Sequence, residues 1–142
     1  MRIEKKIELL KSIKTAGIIL RPSSPELKST YLKIKDLFQK ADIEILLEDN
    51  SANMISLNGL PLEELCKKVD FLISVGGDGT LLSVVRKSFK YDKAVLGINL
   101  GTLGFLTDIS MEQLPKFIED LKNDVYKIDG RMMVEGSVNL NK

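Results

Sequence analysis

Residues 71–80 read Phe-Leu-Ile-Ser-Val-Gly-Gly-Asp-Gly-Thr, a short apolar run that passes directly into a glycine-rich segment. An apolar run of this length, with a glycine-rich turn at its end, predicts a strand buried on both faces. Glycine has no Cβ atom, so the segment that follows can bring its backbone close to a ligand. A buried strand that leads into such a segment and then into a helix favours an α/β protein.

Apolar runs and helical stripes alternate along the whole chain, which predicts an α/β fold: one mostly parallel sheet with helices on both faces, of Rossmann-like type. Ser24 is predicted to cap a helix that begins at Pro25 and carries an apolar stripe to Phe38. Residues 48–60 are polar and are predicted to form a loop. Strands are predicted near 16–20, 43–47, 71–75, 94–98 and 131–140, and further helices near 3–13, 61–68, 81–89 and 111–121.

Composition narrows the class of protein. With 21 basic and 20 acidic residues, the net charge of +1 gives no electrostatic case for binding nucleic acid or an anionic membrane. No apolar run approaches the roughly 20 residues that span a bilayer, and the charged N-terminus does not resemble a signal peptide. Cys66 is the only cysteine and is predicted to be a small buried residue. We therefore expect a soluble cytoplasmic protein.

The first glycine-rich segment has the features of a phosphate-binding turn. Gly76, Gly77 and Gly79 can direct backbone N–H groups at an anion, and the next helix adds the positive end of its dipole. Asp78 would repel a phosphate in direct contact, so it is interpreted as a general base or as a ligand of phosphate-bound Mg²⁺. Histidine is absent, so acid–base chemistry must use other side chains. The alternative is a tight strand-to-helix turn in which Asp78 or Thr80 caps the helix.

A second glycine-rich segment follows the next predicted strand. Residues 97–108 read Gly-Ile-Asn-Leu-Gly-Thr-Leu-Gly-Phe-Leu-Thr-Asp. Asn99 could donate to a ligand and Phe105 could stack on a base, whereas the alternative is a turn with Phe105 in the core. No dedicated metal site is predicted, because the acidic residues at 42, 44, 48 and 49 are interpreted as exposed positions of a strand and loop.

Taken together, the two segments closely resemble the NAD kinase family, and the resemblance covers roughly residues 15–140 in order of elements. Gly-Gly-Asp-Gly alone is shared with diacylglycerol and sphingosine kinases and, in related form, with phosphofructokinases. The second segment separates them, because the lipid kinases are expected to carry Pro-x-Gly-Thr-Gly-Asn-Asp there. The resemblance implies phosphoryl transfer from ATP or another donor to the 2′-hydroxyl of the adenosine ribose of NAD, with Mg²⁺ or another divalent cation.

The resemblance also implies roles for individual residues. Asp78 matches the aspartate that takes the proton from the 2′-hydroxyl, and Phe105 matches an aromatic residue near the adenine. The other residues expected to bind nucleotide are Gly76, Gly77, Gly79, Thr80, Asn99 and Thr102. NAD and the phosphoryl donor are the implied partners, and the full-length enzyme is expected to be a homo-oligomer.

Two departures from the family pattern stand out. Many members carry an arginine at the position of Ser83, and the family's Asn-Glu pair occurs nowhere in this sequence. We predict an α/β domain over residues 1–128 and the start of a truncated β-rich domain over residues 129–142. Residues 1–142 alone are expected to be inactive. The alternatives are a nucleotide-binding module without catalysis, which would not need Asp78, and a lipid kinase domain.

Overall fold

The computed structural model describes residues 13–101 and 104–123. The predicted N-terminal helix, the predicted strand within 131–140 and the predicted domain boundary at residue 128 lie outside these residues, as does Thr102. Within the described residues, no helix is long and apolar enough to cross a membrane.

Five parallel strands form one sheet: β1 Thr15–Leu20, β2 Glu44–Leu47, β3 Phe71–Gly76, β4 Val95–Asn99 and β5 Ile109–Ser110. Their order across the sheet is β2-β1-β3-β4-β5. The central strand β3 is buried at every position, as its apolar sequence predicts. The four predicted strands inside the described residues are confirmed, and the two-residue β5 at the sheet edge was not predicted.

Helices cover both faces of the sheet, as predicted. They are α1 Lys28–Gln39, α2 Asp49–Met54, α3 Leu62–Lys68, α4 Asp78–Ser88 and α5 Leu114–Lys122. On one face, Phe38 of α1 and Leu114 of α5 belong to the same buried cluster as Ile73 of β3. On the other face, Leu65 of α3 and Val84 of α4 pack with Leu72. Alternate residues of β3 therefore contribute to two separate apolar layers.

The predicted loop over residues 48–60 is wrong in its first half, because α2 occupies part of it. Glu48 caps this helix: its carboxylate accepts hydrogen bonds from the N–H groups of Asn50 (2.8 Å) and Ser51 (3.0 Å). Glu48 is only 7% exposed, so its interpretation as an exposed polar position is also wrong. A polar sequence can form a short helix when one of its own side chains satisfies the free N–H groups of the first turn.

The start of the helix predicted to begin at Pro25 also needs correction. A 3₁₀ turn begins at Pro25, and α1 itself begins at Lys28. Ser24 makes no side-chain cap; its hydroxyl donates to the carbonyl of Pro22 (3.0 Å) and accepts from Nε of Arg21 (2.8 Å). The hydroxyl is therefore engaged with the turn that follows β1.

The strand order places a crevice between β1 and β3. From β1 the chain moves to β2 on one side, and from β3 it moves to β4 and β5 on the other. Ligands of parallel α/β sheets bind beyond the carboxyl ends of strands at such a reversal. Arg21 follows β1 at this edge, and Gly77 follows β3.

Candidate active site

The turn between β3 and α4 is tighter than predicted, because α4 begins at Asp78 and not at Leu81. Gly77 is the N-cap residue, so Asp78 and Gly79 lie in the first helical turn. A Cβ atom on Gly76 would lie 2.6 Å from Oγ1 of Thr80, which explains why glycine is needed there. A Cβ atom on Gly77 or Gly79 would meet no atom of the described residues within 4 Å, so these two glycines are open on that side in the described part of the chain.

The Asp78 side chain connects the two glycine-rich segments. Its Oδ2 accepts a hydrogen bond from the N–H of Phe105 (2.9 Å), and its Oδ1 accepts from those of Leu106 (3.1 Å) and Thr107 (3.2 Å). Among the described residues, no side-chain cap hydrogen bond is present at the start of α4, so neither Asp78 nor Thr80 acts as the predicted alternative cap. We call this set of three hydrogen bonds the Asp78 clasp.

Gly104 allows the second segment to lie against the Asp78 carboxylate. A Cβ atom at this position would lie only 2.6 Å from Cγ of Asp78 and would collide with the carboxylate. Gly104 is therefore required for close approach of the second segment to Asp78.

The clasp leaves Asp78 with acceptor capacity. An ionised carboxylate offers about four lone-pair sites, two on each oxygen. Among the described residues, Oδ1 accepts two hydrogen bonds and Oδ2 accepts one. Oδ2 can thus accept one further hydrogen bond, for example from a substrate hydroxyl, without release of the clasp.

Asn99 stabilises the second glycine-rich segment through hydrogen bonds of its side chain. It ends β4 opposite Gly76 and is buried, with 5% exposure. Its amide nitrogen donates to Oγ1 of Thr107 (2.9 Å), and its Oδ1 accepts from the N–H of Gly101 (2.8 Å). The segment is also tied to β4 where the N–H of Gly97 donates to Asp108 (2.7 Å). These bonds give Asn99 a clear role in holding the loop.

Phe105 lies in this loop and is 94% exposed, so the alternative that places it in the core is wrong. The structure therefore brings the predicted site residues of both segments, except Thr102, to one edge of the sheet. Cys66 is buried on α3, as predicted, and burial raises the pKa of its thiol.

Sequence reasoning missed Arg21. Its Cβ atom lies 3.1 Å from where a Gly76 Cβ would be, so it borders the β3–α4 turn. The available signal was its position directly after a buried apolar strand, at the edge where parallel sheets bind ligands.

The strands and helices define this chain as a parallel α/β domain, and comparison with known proteins agrees with that class. Residues 16–126 match the ATP-NAD kinase N-terminal domain. The chain belongs to this family.

Curated relatives named NAD kinase match nearly the whole chain. The protein from Sulfurimonas denitrificans is 51% identical over 93% of this chain, and that from Wolinella succinogenes is 47% identical over 94%. In each case the match covers only 46% of the relative, so the chain spans about half their length. A crystal structure of yeast NADH kinase complexed with NADH shares the fold, with a TM-score of 0.67 at 20% identity, over 81% of this chain and 39% of that one.

Proposed function

We propose that this chain supplies one half of the active site of an NAD kinase, which transfers a phosphoryl group from ATP or another donor to the 2′-hydroxyl of the adenosine ribose of NAD and yields NADP. The observation that carries the proposal is the placement of Asp78. Its carboxylate is fixed by three N–H groups, keeps one acceptor site on Oδ2, and borders the open turn at Gly77 and Gly79.

Each part of this geometry has a role in the proposed reaction. The first turn of α4 offers N–H groups and a positive dipole end to phosphates. The 2′-hydroxyl donates a hydrogen bond to Oδ2 of Asp78, its oxygen bonds to the transferred phosphorus as the bond to the donor oxygen breaks, and its proton passes to the carboxylate. The exposed ring of Phe105 is available to stack on the adenine.

A divalent cation fits this site as an ion bound mainly by the substrate phosphates. Mg²⁺ in phosphoryl-transfer enzymes commonly keeps few protein ligands and binds substrate phosphates. Within residues 13–101 and 104–123, no three acidic or cysteine side chains gather as a dedicated metal cage. When bound, the cation would neutralise charge on the transferred group.

We further propose that the enzyme acts on soluble nucleotides in the cytoplasm and that the full-length protein is a homo-oligomer.

The test is Asp78→Asn in the full-length enzyme, by which we mean this chain together with the remaining half found in its relatives. Asn cannot accept the proton, and loss of a general base typically lowers kcat by about 10² to 10⁴. The Asn amide also replaces one clasp acceptor by a donor, so some loosening of the loop at Phe105 is expected.

Thr107→Val is the matched control for that loosening. It removes the hydroxyl that accepts from Asn99 but leaves Asp78 intact, so it should raise KM for NAD and keep kcat within a few-fold. If Asp78→Asn behaves like Thr107→Val, Asp78 only holds the loop. If the unaltered enzyme does not convert NAD to NADP, the proposed function is wrong.

A further inference from the structure

Arg21 extends the β1–β3 ladder by one residue at the carboxyl edge of the sheet. Its N–H donates to the carbonyl of Val75 (2.9 Å), so its backbone position is set by the central strand. If Gly76 carried a Cβ atom, that atom would lie 3.1 Å from Cβ of Arg21 and 2.6 Å from Oγ1 of Thr80. The cationic side chain of Arg21 therefore starts next to the turn that leads to Asp78.

The guanidinium group is oriented by a buried serine. Nε of Arg21 donates to Oγ of Ser24 (2.8 Å), which is 3% exposed. Because that hydroxyl already donates its hydrogen to the carbonyl of Pro22 (3.0 Å), it is fixed as an acceptor toward Arg21. The side chain is thereby held in one direction although its outer end reaches solvent.

The ion pair between Arg21 and Glu26 is weak. Nη2 lies 3.4 Å from Oε2 of Glu26, and the two side chains are 44% and 67% exposed. Exposed ion pairs of this kind add little stability, so an incoming anion can replace Glu26 easily. Of the five guanidinium N–H donors, two have acceptors among the described residues.

This arrangement suits a phosphate group. Guanidinium binds phosphate through paired, charge-assisted hydrogen bonds. Asp78 brings negative charge to the same crevice, and phosphates that approach it need compensating positive charge. Arg21 supplies that charge from the opposite strand of the crevice, β1.

We propose that Arg21 binds a phosphate group of one of the two nucleotide substrates at the crevice between β1 and β3. The proposal rests on the proposed NAD kinase function. The phosphate belongs either to the polyphosphate of the donor or to the pyrophosphate of NAD, and the kinetic experiment separates the two sources.

Arg21→Ala, Arg21→Lys and Arg86→Ala are compared in the full-length enzyme. Arg86 is a matched control, because it is exposed in the last turn of α4, roughly 12 Å along the helix axis from Asp78. We expect Arg21→Ala to raise KM at least 10-fold for one of the two substrates, ATP or NAD. The substrate whose KM rises is the one whose phosphate group binds Arg21. Arg21→Lys should recover part of the loss, since it keeps charge but not paired donors. Arg86→Ala should stay within two-fold.

Competitive inhibition by inorganic tripolyphosphate gives a second readout, and its Ki should rise in Arg21→Ala in step with the affected KM. Unchanged KM for both substrates, with an active unaltered enzyme, overturns the proposal and leaves the proposed function standing. A loss of kcat that follows a fall in melting temperature, with both KM values unchanged, also overturns it, because Arg21 would then only stabilise the turn. An unaltered enzyme that does not phosphorylate NAD overturns the proposed function itself.

Discussion

At the scale of single residues, the clasp gives Asp78 two tasks that sequence could not separate. Reading along the chain suggests that Asn at position 78 would leave the local fold unchanged. The structure shows that its two carboxylate oxygens both accept backbone N–H groups, so Asn would set an amide donor against one of them. The clasp itself is tested by a variant that displaces the second segment and keeps the carboxylate.

Gly104→Ala is that variant. The added methyl group would collide with the Asp78 carboxylate, so the second segment must move away from α4. We expect kcat to fall and KM for NAD to rise together, because both the carboxylate and Phe105 lose their positions. Steady-state kinetics in the full-length enzyme measures this, with Gly101→Ala as control, since a Cβ there meets no atom of the described residues within 4 Å. Equal kinetics for the two variants would contradict the clasp.

At the scale of elements, the strands could be predicted and the α2 helix could not. Buried parallel strands consist of apolar residues on both faces, so β1, β3 and β4 are visible as apolar runs. The α2 helix lacks an apolar stripe and depends on the buried Glu48 carboxylate, whose burial follows from packing at the end of β2. The proximity of Asp78 to Phe105 likewise depends on the pairing of β3 with β4, which local sequence does not contain.

Glu48→Ala tests the stability that this cap supplies. It removes the acceptor of the Asn50 and Ser51 N–H groups and leaves the Ser51 hydroxyl without its acceptor at 2.8 Å. We expect a loss of about 1–3 kcal/mol in the free energy of unfolding, measured by urea titration of the 142-residue chain. Glu63→Ala, which removes an exposed pair with Lys67 at 3.4 Å, should cost less than about 1 kcal/mol. A smaller loss for Glu48→Ala than for Glu63→Ala would show that the cap is not needed.

At the scale of the whole molecule, the described residues of the candidate site are open to solvent. The Asp78 clasp joins the first turn of α4 and the Phe105 loop into one wall of the candidate site, and Arg21 borders the β3–α4 turn. Phe105 is 94% exposed and Gly79 is exposed, so an enclosed dinucleotide site would need further walls. Phosphoryl transfer depends on exclusion of water and on fixed reactant positions, which one wall supplies only in part.

The 142-residue chain by itself is therefore expected to show no measurable conversion of NAD to NADP, in line with its match to only 46% of the relatives' length. The same chain joined to the second half of a relative should be active, because orientation of two bound reactants accounts for several kcal/mol of the barrier. An enzymatic assay for NADP, with Asp78→Asn as the blank for contaminating kinases, compares the two proteins. Turnover by the 142-residue chain above that blank would show that the described crevice is sufficient, and the second half would then serve affinity or assembly instead of catalysis.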